Sequence, residues 1–445
     1  MKNVLVAGLL GWAVVAVAEL PNTGYVNFNK DVLPILQRHC QVCHRPGEIG
    51  PMSFMSYEST YHWAEAIKAV VTSGKMPPWF ADPRYGHFLN EKHLTGAEIE
   101  ILSAWAELGA PEGKAYDPPL PASFREGWNI RPDLVFKMSE PFDVPATGKV
   151  EYVHVTISAP FKEDTWVVAG EIRPGNRSVV HHAALHIRPK DSKWMKESHL
   201  GRKPFIPGSS YIEDLIKANG GNPAVLDNQF IIGLVPGMEA QRFDLDHSAM
   251  LIPAGADLVL QMHYTPSGRA AEDQSVVGLE LAKEPPKRRF LVFATDQMNL
   301  DIAPGDPNAE ATARLVFGKP VSLAYMQPHM HLRGKDARVD SVYPGGARET
   351  LLSIPRYDFD WQIVYYLKNP LRFPAGTALE LVGHYDNSSG NKNNPDPTQR
   401  VRWGEQSDSE MLTMPVGVII DRDIDPAEVV VESGVPGGVG VGVHE

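Results

Sequence analysis

Five consecutive residues, Cys40-Gln41-Val42-Cys43-His44, are the densest chemical signal in this chain of 445 residues. Cys-x-x-Cys-His is the attachment motif of c-type haem, in which two thioethers hold the porphyrin and the histidine is the proximal iron ligand. The chain has no other cysteine. A redox Cys-x-x-Cys or half of a zinc site are the alternatives, but the adjacent histidine favours haem. The sequence therefore predicts one covalently bound haem c.

A sixth ligand for the haem iron is expected on the loop that contains Met76. Met76 follows His44 by 32 residues, and the prolines at 77 and 78 prevent a helix there. A thioether is a common second axial ligand of c-type haem, so Met76 is the predicted ligand. Two alternatives stay open: Met76 belongs to a core, as most methionines do, or an imidazole takes its place, with candidates His62, His87 and His93.

The elements around the haem motif have a helical pattern and predict a small all-α cytochrome c domain over residues 19–110. An apolar group at 32–36 leads into the cysteines, and a second helix is predicted from Glu58 to about Thr72. A third begins at Thr95, because Glu98 completes a capping box, and ends near Gly109. Residues 111–127 are rich in proline and predict a linker.

From residue 128 onward the pattern has the period of two that is typical of antiparallel strands. Apolar residues alternate with polar ones at 152–157 and at 258–263. About 300 residues of this kind predict two tandem β-sandwiches, at 128–288 and 289–430, with a disordered tail at 431–445. Two Pro-Ala-Gly turns, at 253–255 and 374–376, each precede a run that ends in His-Tyr. This repetition indicates a duplication.

Three histidine clusters lie in the β region, at His181-His182, at Gln261-Met262-His263-Tyr264 and at His329-Met330-His331. Imidazole suits copper, zinc, iron and nickel. His329 and His331 are two apart, so on a strand both point to one face. Adjacent histidines point to opposite faces of a regular strand, so His181 and His182 share an ion only where the backbone is irregular. Otherwise His182 and His186 are the substitute pair. The remaining histidines of the region are interpreted as ordinary ones: His154, His199, His247 and His384.

The order of these clusters, followed by a late methionine, resembles the copper type II, ascorbate-dependent monooxygenases, the family of peptidylglycine α-hydroxylating and dopamine β-monooxygenase. The similarity extends to flanking segments and covers about residues 128–425: Arg173-Pro174-Gly175-Asn176, Pro236-Gly237 and Asp408-Ser409-Glu410-Met411. The resemblance implies two jelly-roll-like domains with one copper each. The family's animal enzymes contain disulfides, which this chain lacks the cysteines to form, so its sandwiches must depend on packing.

The resemblance also implies a role for each ligand. His181, His182 and His263 correspond to the all-histidine copper that passes an electron. The copper that binds oxygen corresponds to His329, His331 and Met411. A soft thioether favours Cu(I), the state that reacts with O₂, which makes this division chemically sensible. Met414 is the alternative thioether.

The net charge and the first 18 residues indicate which partners and which location to expect. A net charge of −12 argues against nucleic acid or an anionic membrane surface as a partner. Residues 1–18 predict a secretory signal, with an apolar stretch and Ala16-Val17-Ala18 as a cleavage site. An uncleaved anchor is the alternative. A periplasmic or secreted location with no stable membrane span is therefore expected.

Together these features predict a copper-dependent monooxygenase that hydroxylates a C–H bond of a small molecule or peptide with O₂. Family enzymes draw electrons from ascorbate; here a periplasmic donor is expected to supply them through the fused haem. Two other functions compete with this prediction. One is a non-enzymatic electron-transfer or copper-handling protein, and the other is a zinc hydrolase, although a β region without cysteine argues against structural zinc. The sequence does not identify the substrate.

Overall fold

The structure is a computed structural model that describes residues 26–48, 50–114, 118–124, 127–157, 161–190, 192, 204–206, 229–235, 238, 240–404 and 406–434. The predicted signal at 1–18, Pro236-Gly237, His199 and residues 435–445 of the predicted tail lie outside this part of the chain. Its packing divides the chain into two compact units. The helical unit is Met1–Gln41, Met52–Pro77 and His93–Ala122, and the β unit is Val42–Pro51, Pro78–Lys92 and Ser123–Glu445.

This division corrects the predicted boundaries of the haem region. Residues 19–110 do not form one continuous domain, because Val42–Pro51 and Pro78–Lys92 belong to the β unit. The predicted linker is also too long at its start. The backbone N–H groups of Phe28 and Asn29 donate to the carbonyls of Pro111 and Glu112, so these residues are part of the helical unit.

The helical unit forms where capping and apolar spacing predict helices. Its elements are a π-helical turn at Phe28–Val32, α1 at Leu33–His39, α2 at Tyr57–Thr60, a 3₁₀ turn at Tyr61–Trp63, α3 at Ala64–Thr72 and α4 at Gly96–Glu107. The capping box is confirmed: the Thr95 hydroxyl accepts from the Glu98 N–H at 3.2 Å, and the Glu98 carboxylate accepts from the Thr95 N–H at 2.9 Å. Gly109 has φ +79° just past the helix end. Trp105 is fully buried in the core of the unit.

The regular elements of the β unit are almost all strands, as the period-two pattern predicts. In its first half they are β1 Leu134–Lys137, β2 Phe142–Val144, β3 Val153–Ile157, β4 Thr165–Arg173, β5 Val180–Arg188, β6 Gln229–Leu234, β7 Gln241–Arg242, β8 Ser248–Ile252, β9 Asp257–Tyr264, β10 Ala271–Asp273 and β11 Val276–Leu281. In its second half they are β12 Arg288–Asp296, β13 Asp301–Ile302, β14 Ala309–Phe317, β15 Val321–Met326, β16 Gly334–Val342, β17 Arg348–Ile354, β18 Tyr365–Phe373, β19 Ala378–Tyr385, β20 Val401–Arg402, β21 Thr413–Asp421 and β22 Val430–Gly434.

These strands form two layered β-sandwiches. In the first, the sheet β3-β9-β5-β6 packs on the strands β1-β11-β4-β8. In the second, the sheet β17-β16-β19-β14-β22 packs on β12-β21-β15-β18. β22 corrects the predicted tail, since residues 431–434 pair with β14 instead of lying outside the fold.

The two sandwiches share a sheet. β8 and β12 pair in parallel, with Arg288 opposite Ser248 and Arg289 opposite Ala249. This pairing joins β1-β11-β4-β8 of the first sandwich to β12-β21-β15-β18 of the second. Together with β7, which pairs with β4, they form one sheet of nine strands. The core of the first sandwich also contains second-half residues, among them the fully buried Phe290 and Tyr325. The predicted tandem arrangement is therefore a fused one.

The repeated turns have the same structural role in both halves. Gly255 and Gly376 both have positive φ, +76° and +83°, and each turn leads into a central strand of an outer sheet, β9 or β19. β9 lies between β3 and β5, and β19 lies between β16 and β14. The duplication suggested by the sequence thus matches equivalent places in the two sheets. Among the described residues, no helix is long and apolar enough to span a membrane.

Candidate metal centres

The first candidate centre is the three-histidine cluster of His181, His182 and His263. His182 on β5 lies opposite His263 on β9, and the register between these strands shifts between Val180 and His182. This bulge supplies the backbone irregularity that adjacent histidine ligands require. The Nδ1 atom of His182 lies 3.1 Å from Nδ1 of His181 and 3.2 Å from Nδ1 of His263.

These nitrogen separations suit a metal ion. Metal–imidazole bonds are about 2.0–2.1 Å long, so two nitrogens about 3.1–3.2 Å apart subtend roughly 100° at a shared ion. One candidate ligand atom from each of the three residues lies within 4.8 Å of the others. Hydrogen bonds among neutral rings do not readily explain three Nδ1 atoms that converge, since each neutral ring carries only one N–H. The geometry fits one cation held by three Nδ1 atoms.

Burial keeps these rings neutral. It lowers the pKa of His182 well below its ordinary value, and it lowers the pKa of His263 to about 4. The pKa of His181 is also lowered by burial, although the nearby charge of Asp360 opposes the shift. A neutral imidazole has a lone pair available for a metal at neutral pH. Tyr152 adds an outer contact, because its hydroxyl lies 3.1 Å from Nε2 of His182, the nitrogen that points away from the cluster.

The second candidate centre contains His329 and His331. Both lie on the extended segment between β15 and β16, and their ring centroids are 5.1 Å apart. Nδ1 of His331 is 3.2 Å from the Ser409 carbonyl, an acceptor that favours the tautomer with its proton on Nδ1. Burial lowers the pKa of His329 to about 3 and of His331 to about 4.

Met411 lies on a segment that is bound to this pair on both sides. On one side, the buried Glu410 carboxylate accepts from the His331 N–H at 2.8 Å and from the Arg333 N–H at 2.6 Å. On the other side, Thr413 and His329 exchange two backbone hydrogen bonds of 2.8 and 3.1 Å. Met411 is partly exposed between them, whereas Met414 is fully buried in the core of the second sandwich. Which of the two methionines is a ligand stays a prediction.

The two centres are close to each other. The ring of Phe359 contacts His181 of the first centre and His331 of the second, at 5.9 Å between centroids in each case. After burial and the nearer histidines, His329 and His331 also lower the pKa of His182, because a positive charge on either ring would repel a proton on His182. Both clusters therefore face one shared region of the β unit.

The residues of the predicted haem motif are divided between the two units. Its Cys40 belongs to the helical unit, and Cys43 and His44 belong to the Val42–Pro51 segment of the β unit. Gly50 lies so close to this motif that a Cβ atom there would be 2.7 Å from both the Cys43 carbonyl and Nδ1 of His44. A side chain at this position would therefore collide with the predicted haem-attachment motif.

One cavity of the β unit is lined both by residues of the haem-motif segment and by a residue of the first candidate centre. It is lined by Cys43 and by His181, and Glu48 of the same segment is 3.4 Å from Arg177. The predicted sixth ligand Met76 is a partly buried residue of the helical unit. Its pairing with His44 stays a prediction. Of the alternatives, His62 and His93 also lie in the helical unit, and His87 lies in the β unit, where its carbonyl accepts from Lys368.

Three other histidines of the β region that the structure describes, His154, His186 and His384, make contacts away from the two centres. His186 lies further along β5 and is electrostatically coupled to the buried His154, whose Nε2 is 3.1 Å from Gln261. The substitute pair of His182 and His186 is therefore not needed, because the bulge brings His181 and His182 together. His384 contacts the carboxylates of Asp336 and Glu310.

Four residues of the centres were not predicted as site residues: Tyr152, Tyr357, Phe359 and the carboxylate of Glu410. Tyr152 precedes β3, and Tyr357 and Phe359 lie on the loop between β17 and β18. Both segments are distant from the histidines in sequence, so spacing alone does not find them. In the sequence, Glu410 stands out only as the residue before Met411. That position next to a candidate ligand is the one feature that could have identified it as part of the site.

Comparison with known proteins does not assign a family. No protein-family model and no curated protein matches the chain. Solved structures with a partial likeness include PNGF-II, at 9% identity and a TM-score of 0.29, with 64% of this chain aligned to 65% of that one. The major capsid protein P2 of bacteriophage PM2 aligns at 10% identity and a TM-score of 0.26, over 64% of this chain and 99% of that one. The chain thus spans just under two thirds of the length of PNGF-II.

Proposed function

We propose that this protein is a copper-dependent monooxygenase with a fused c-type haem. The observation that carries the proposal is the pair of neighbouring centres: three converging imidazole Nδ1 atoms at His181, His182 and His263, and a separate His329/His331 pair beside Met411. The donor sets differ in softness. Three imidazoles accommodate both oxidation states of copper, and a thioether beside two imidazoles favours Cu(I).

The overall reaction proposed is RH + O₂ + 2e⁻ + 2H⁺ → ROH + H₂O, with a small molecule or peptide as RH. Two copper ions would supply the one-electron and oxygen chemistry, and a haem c at Cys40, Cys43 and His44 would supply electrons from an external donor. The family resemblance also implies that both sandwiches are jelly-roll-like. In this proposal the helical unit is a small cytochrome c domain with Met76 as second axial ligand, and the protein works in the periplasm or outside the cell.

The chain's own residues have separate tasks in this proposal. Tyr152 orients the His182 ring, and the Ser409 carbonyl fixes the tautomer of His331 so that Nε2 faces the ion. Glu410 holds the backbone of His331 and Arg333 and therefore sets the position of the second centre relative to Met411. The lowered pKa values keep the ligand rings deprotonated, so that protons do not compete with the ions at neutral pH.

Metal analysis and isotope labelling test the proposal. Protein matured with haem, copper and zinc all available is expected to contain one iron and two copper ions per chain. His263→Ala is expected to remove copper from the first centre, and His329→Ala from the second. A product screen under ¹⁸O₂ with reduced haem is expected to show one labelled oxygen in a hydroxylated product. Two zinc ions, or copper without any labelled product, would contradict the enzymatic proposal.

The choice of methionine has its own test. Met411→His keeps a ligand but replaces a soft sulfur with a harder nitrogen, so copper is expected to remain while hydroxylation falls by orders of magnitude. X-ray absorption of the reduced protein should show a copper–sulfur contribution that this substitution removes. Met414→Leu is the matched control: as a volume-conserving core substitution it is expected to cost under about 1.5 kcal/mol and keep the sulfur signal. Loss of the signal in Met414→Leu alone would identify Met414 as the ligand.

A further inference from the structure

One side chain, Phe359, contacts a ligand of each metal centre. Its ring lies 5.9 Å from that of His181, with the two planes inclined by 29°, and 5.9 Å from that of His331, with the planes inclined by 83°. Offset-stacked and edge-to-face contacts at such distances are the attractive arrangements of aromatic pairs. The three rings thus form a continuous series from one centre to the other.

The loop that carries Phe359 is fixed to the second centre on both sides. Before Phe359, the Tyr357 hydroxyl donates to the Met330 carbonyl at 2.7 Å and accepts from the Met330 N–H at 3.1 Å. After Phe359, the Gln362 carbonyl accepts a hydrogen bond of 3.3 Å from the side chain of Gln327, two residues before His329. Met330 lies between the two candidate ligands, so the Phe359 loop and the His329–His331 segment are held as one piece.

The other end of the series faces the haem motif. His181 lines the cavity that Cys43 also lines, and Glu48 and Arg177 stand 3.4 Å apart at its wall. His181 is therefore the ligand of the first centre that faces both the haem segment and Phe359. An electron that arrives from the haem side and leaves toward the second centre would use the same imidazole.

Resting on the two-copper function proposed above, we propose that Phe359 couples the two centres, so that electrons pass from the first to the second through His181, Phe359 and His331. Copper held by His181, His182 and His263 would give up one electron, passing from Cu(I) to Cu(II), and copper held at His329 and His331 would take it up, passing from Cu(II) to Cu(I). A haem at Cys40, Cys43 and His44 would return an electron to the first centre, passing from Fe(II) to Fe(III). Phe359 is a positioning residue in this step, since it binds no metal and is not itself oxidised.

Anaerobic reduction of the fully loaded, oxidised protein tests this role. The protein is mixed with a reductant that reduces the haem, and the loss of the Cu(II) signals is followed by rapid-freeze paramagnetic resonance. His263→Ala and His329→Ala, which each lack one copper, assign the two signals. In Phe359→Leu the first centre is expected to be reduced at the unmutated rate and the second at least severalfold more slowly. Phe359→Tyr keeps an aromatic ring and is expected to restore the rate.

Each result separates this proposal from the one on which it rests. Equal reduction rates in Phe359→Leu and unmutated protein, both with two copper ions, would overturn the coupling role and leave the two-copper function standing. Absence of copper from the unmutated protein would overturn both. If Phe359→Leu loses copper, the same reduction experiment is run on Phe359→Val, Phe359→Tyr and Phe359→Trp. In each variant the reduction rate of the second centre is divided by that of the first, and a coupling role predicts a higher ratio in the two aromatic variants than in Phe359→Val. A purely structural role of Phe359 predicts instead that the ratio of the two rates varies with the copper content of the variant, whether or not residue 359 is aromatic.

Discussion

At the scale of single residues, the two centres depend on contacts that lie one step outside their ligands. The His182 ring is held by Tyr152, and the His331 ring is held by the Ser409 carbonyl. Such partners set the tautomer and the direction of an imidazole, which decides which nitrogen can reach a metal. A centre with the right histidines and wrong partners would bind its ion more weakly.

Tyr152→Phe tests this dependence directly. The substitution keeps the ring beside His263 but removes the hydroxyl that lies 3.1 Å from Nε2 of His182. Copper affinity at the first centre is expected to fall by about 10–100-fold, the usual effect of losing such a partner. Competition with a chelator of known affinity measures the change. Tyr343→Phe, which removes a hydroxyl 3.3 Å from Glu349 on the second sandwich, is the control and should leave the affinity unchanged.

The sequence was sufficient to single out the candidate ligands, but it did not identify the residues that hold them in place. Cluster order pointed to His181, His182 and His263, and the structure brings these three together. Phe359 and Tyr152 reach the site from loops whose sequences have no periodic or motif signal, so only the folded chain shows their contacts. The ligand role of Met411 rests on its motif and its exposure, and it stays a prediction.

At the scale of elements, the haem segment shows how a close approach can require glycine. A Cβ at Gly50 would be 2.7 Å from Nδ1 of His44 and from the Cys43 carbonyl. Gly50→Ala is therefore expected to displace the His44 ring and to change the absorption spectrum of the haem or lower its yield. Gly96→Ala is the matched control, because nothing lies within 4 Å of its Cβ and the site is the first residue of α4. An unchanged haem spectrum in Gly50→Ala would contradict this account.

Elements governed by local chemistry were predictable, and those governed by tertiary contacts were not. Thr95 and Glu98 form the capping box because its hydrogen bonds lie within one helical turn. The Pro-Ala-Gly turns likewise form where glycine must adopt positive φ. The placement of Val42–Pro51 and Pro78–Lys92 in the β unit depends on contacts with distant strands. The pairing of β22 with β14 likewise depends on a contact between residues that are far apart in the sequence.

At the scale of the whole molecule, the two sandwiches are expected to unfold together, because they share one nine-stranded sheet. Phe290 of the second half packs against Phe243 of the first, at 5.2 Å between ring centroids. Phe290→Ala is expected to lower the unfolding free energy by about 3–5 kcal/mol, as for other large-to-small core substitutions. Hydrogen exchange of both halves should respond together. Faster exchange confined to one half would contradict a fused core.

Acid is expected to destabilise the metal-free protein. Histidines with lowered folded pKa values bind protons in the unfolded chain below about pH 6.5 but bind them in the folded chain only nearer pH 4. Unfolding therefore takes up protons between these pH values, and the unfolding free energy falls as the pH falls. The main contributors are His154, His186, His263, His329 and His331.

Two buried carboxyls oppose this trend. Burial raises the pKa of Glu410 to about 8 and of Asp296 to about 6, so each favours the folded state at lower pH. Five histidines outnumber two acids, so the net effect between pH 6.5 and 4.5 is expected to be a loss of stability. Denaturant titrations of the metal-free protein at pH 7, 6 and 5 measure it. A midpoint that stays constant or rises on acidification would show that the carboxyls dominate.

The bulge in β5 has a consequence for how such a site could arise. In a regular ladder only His182 and His263 would share a face, and two imidazoles hold an ion weakly. The one-residue excess at His181 adds the third nitrogen without altering the strands on either side. Deletion of this one residue is therefore expected to keep the sandwich and to remove the cluster of three nitrogens. Comparing relatives with and without this extra residue would show the step in an evolutionary record.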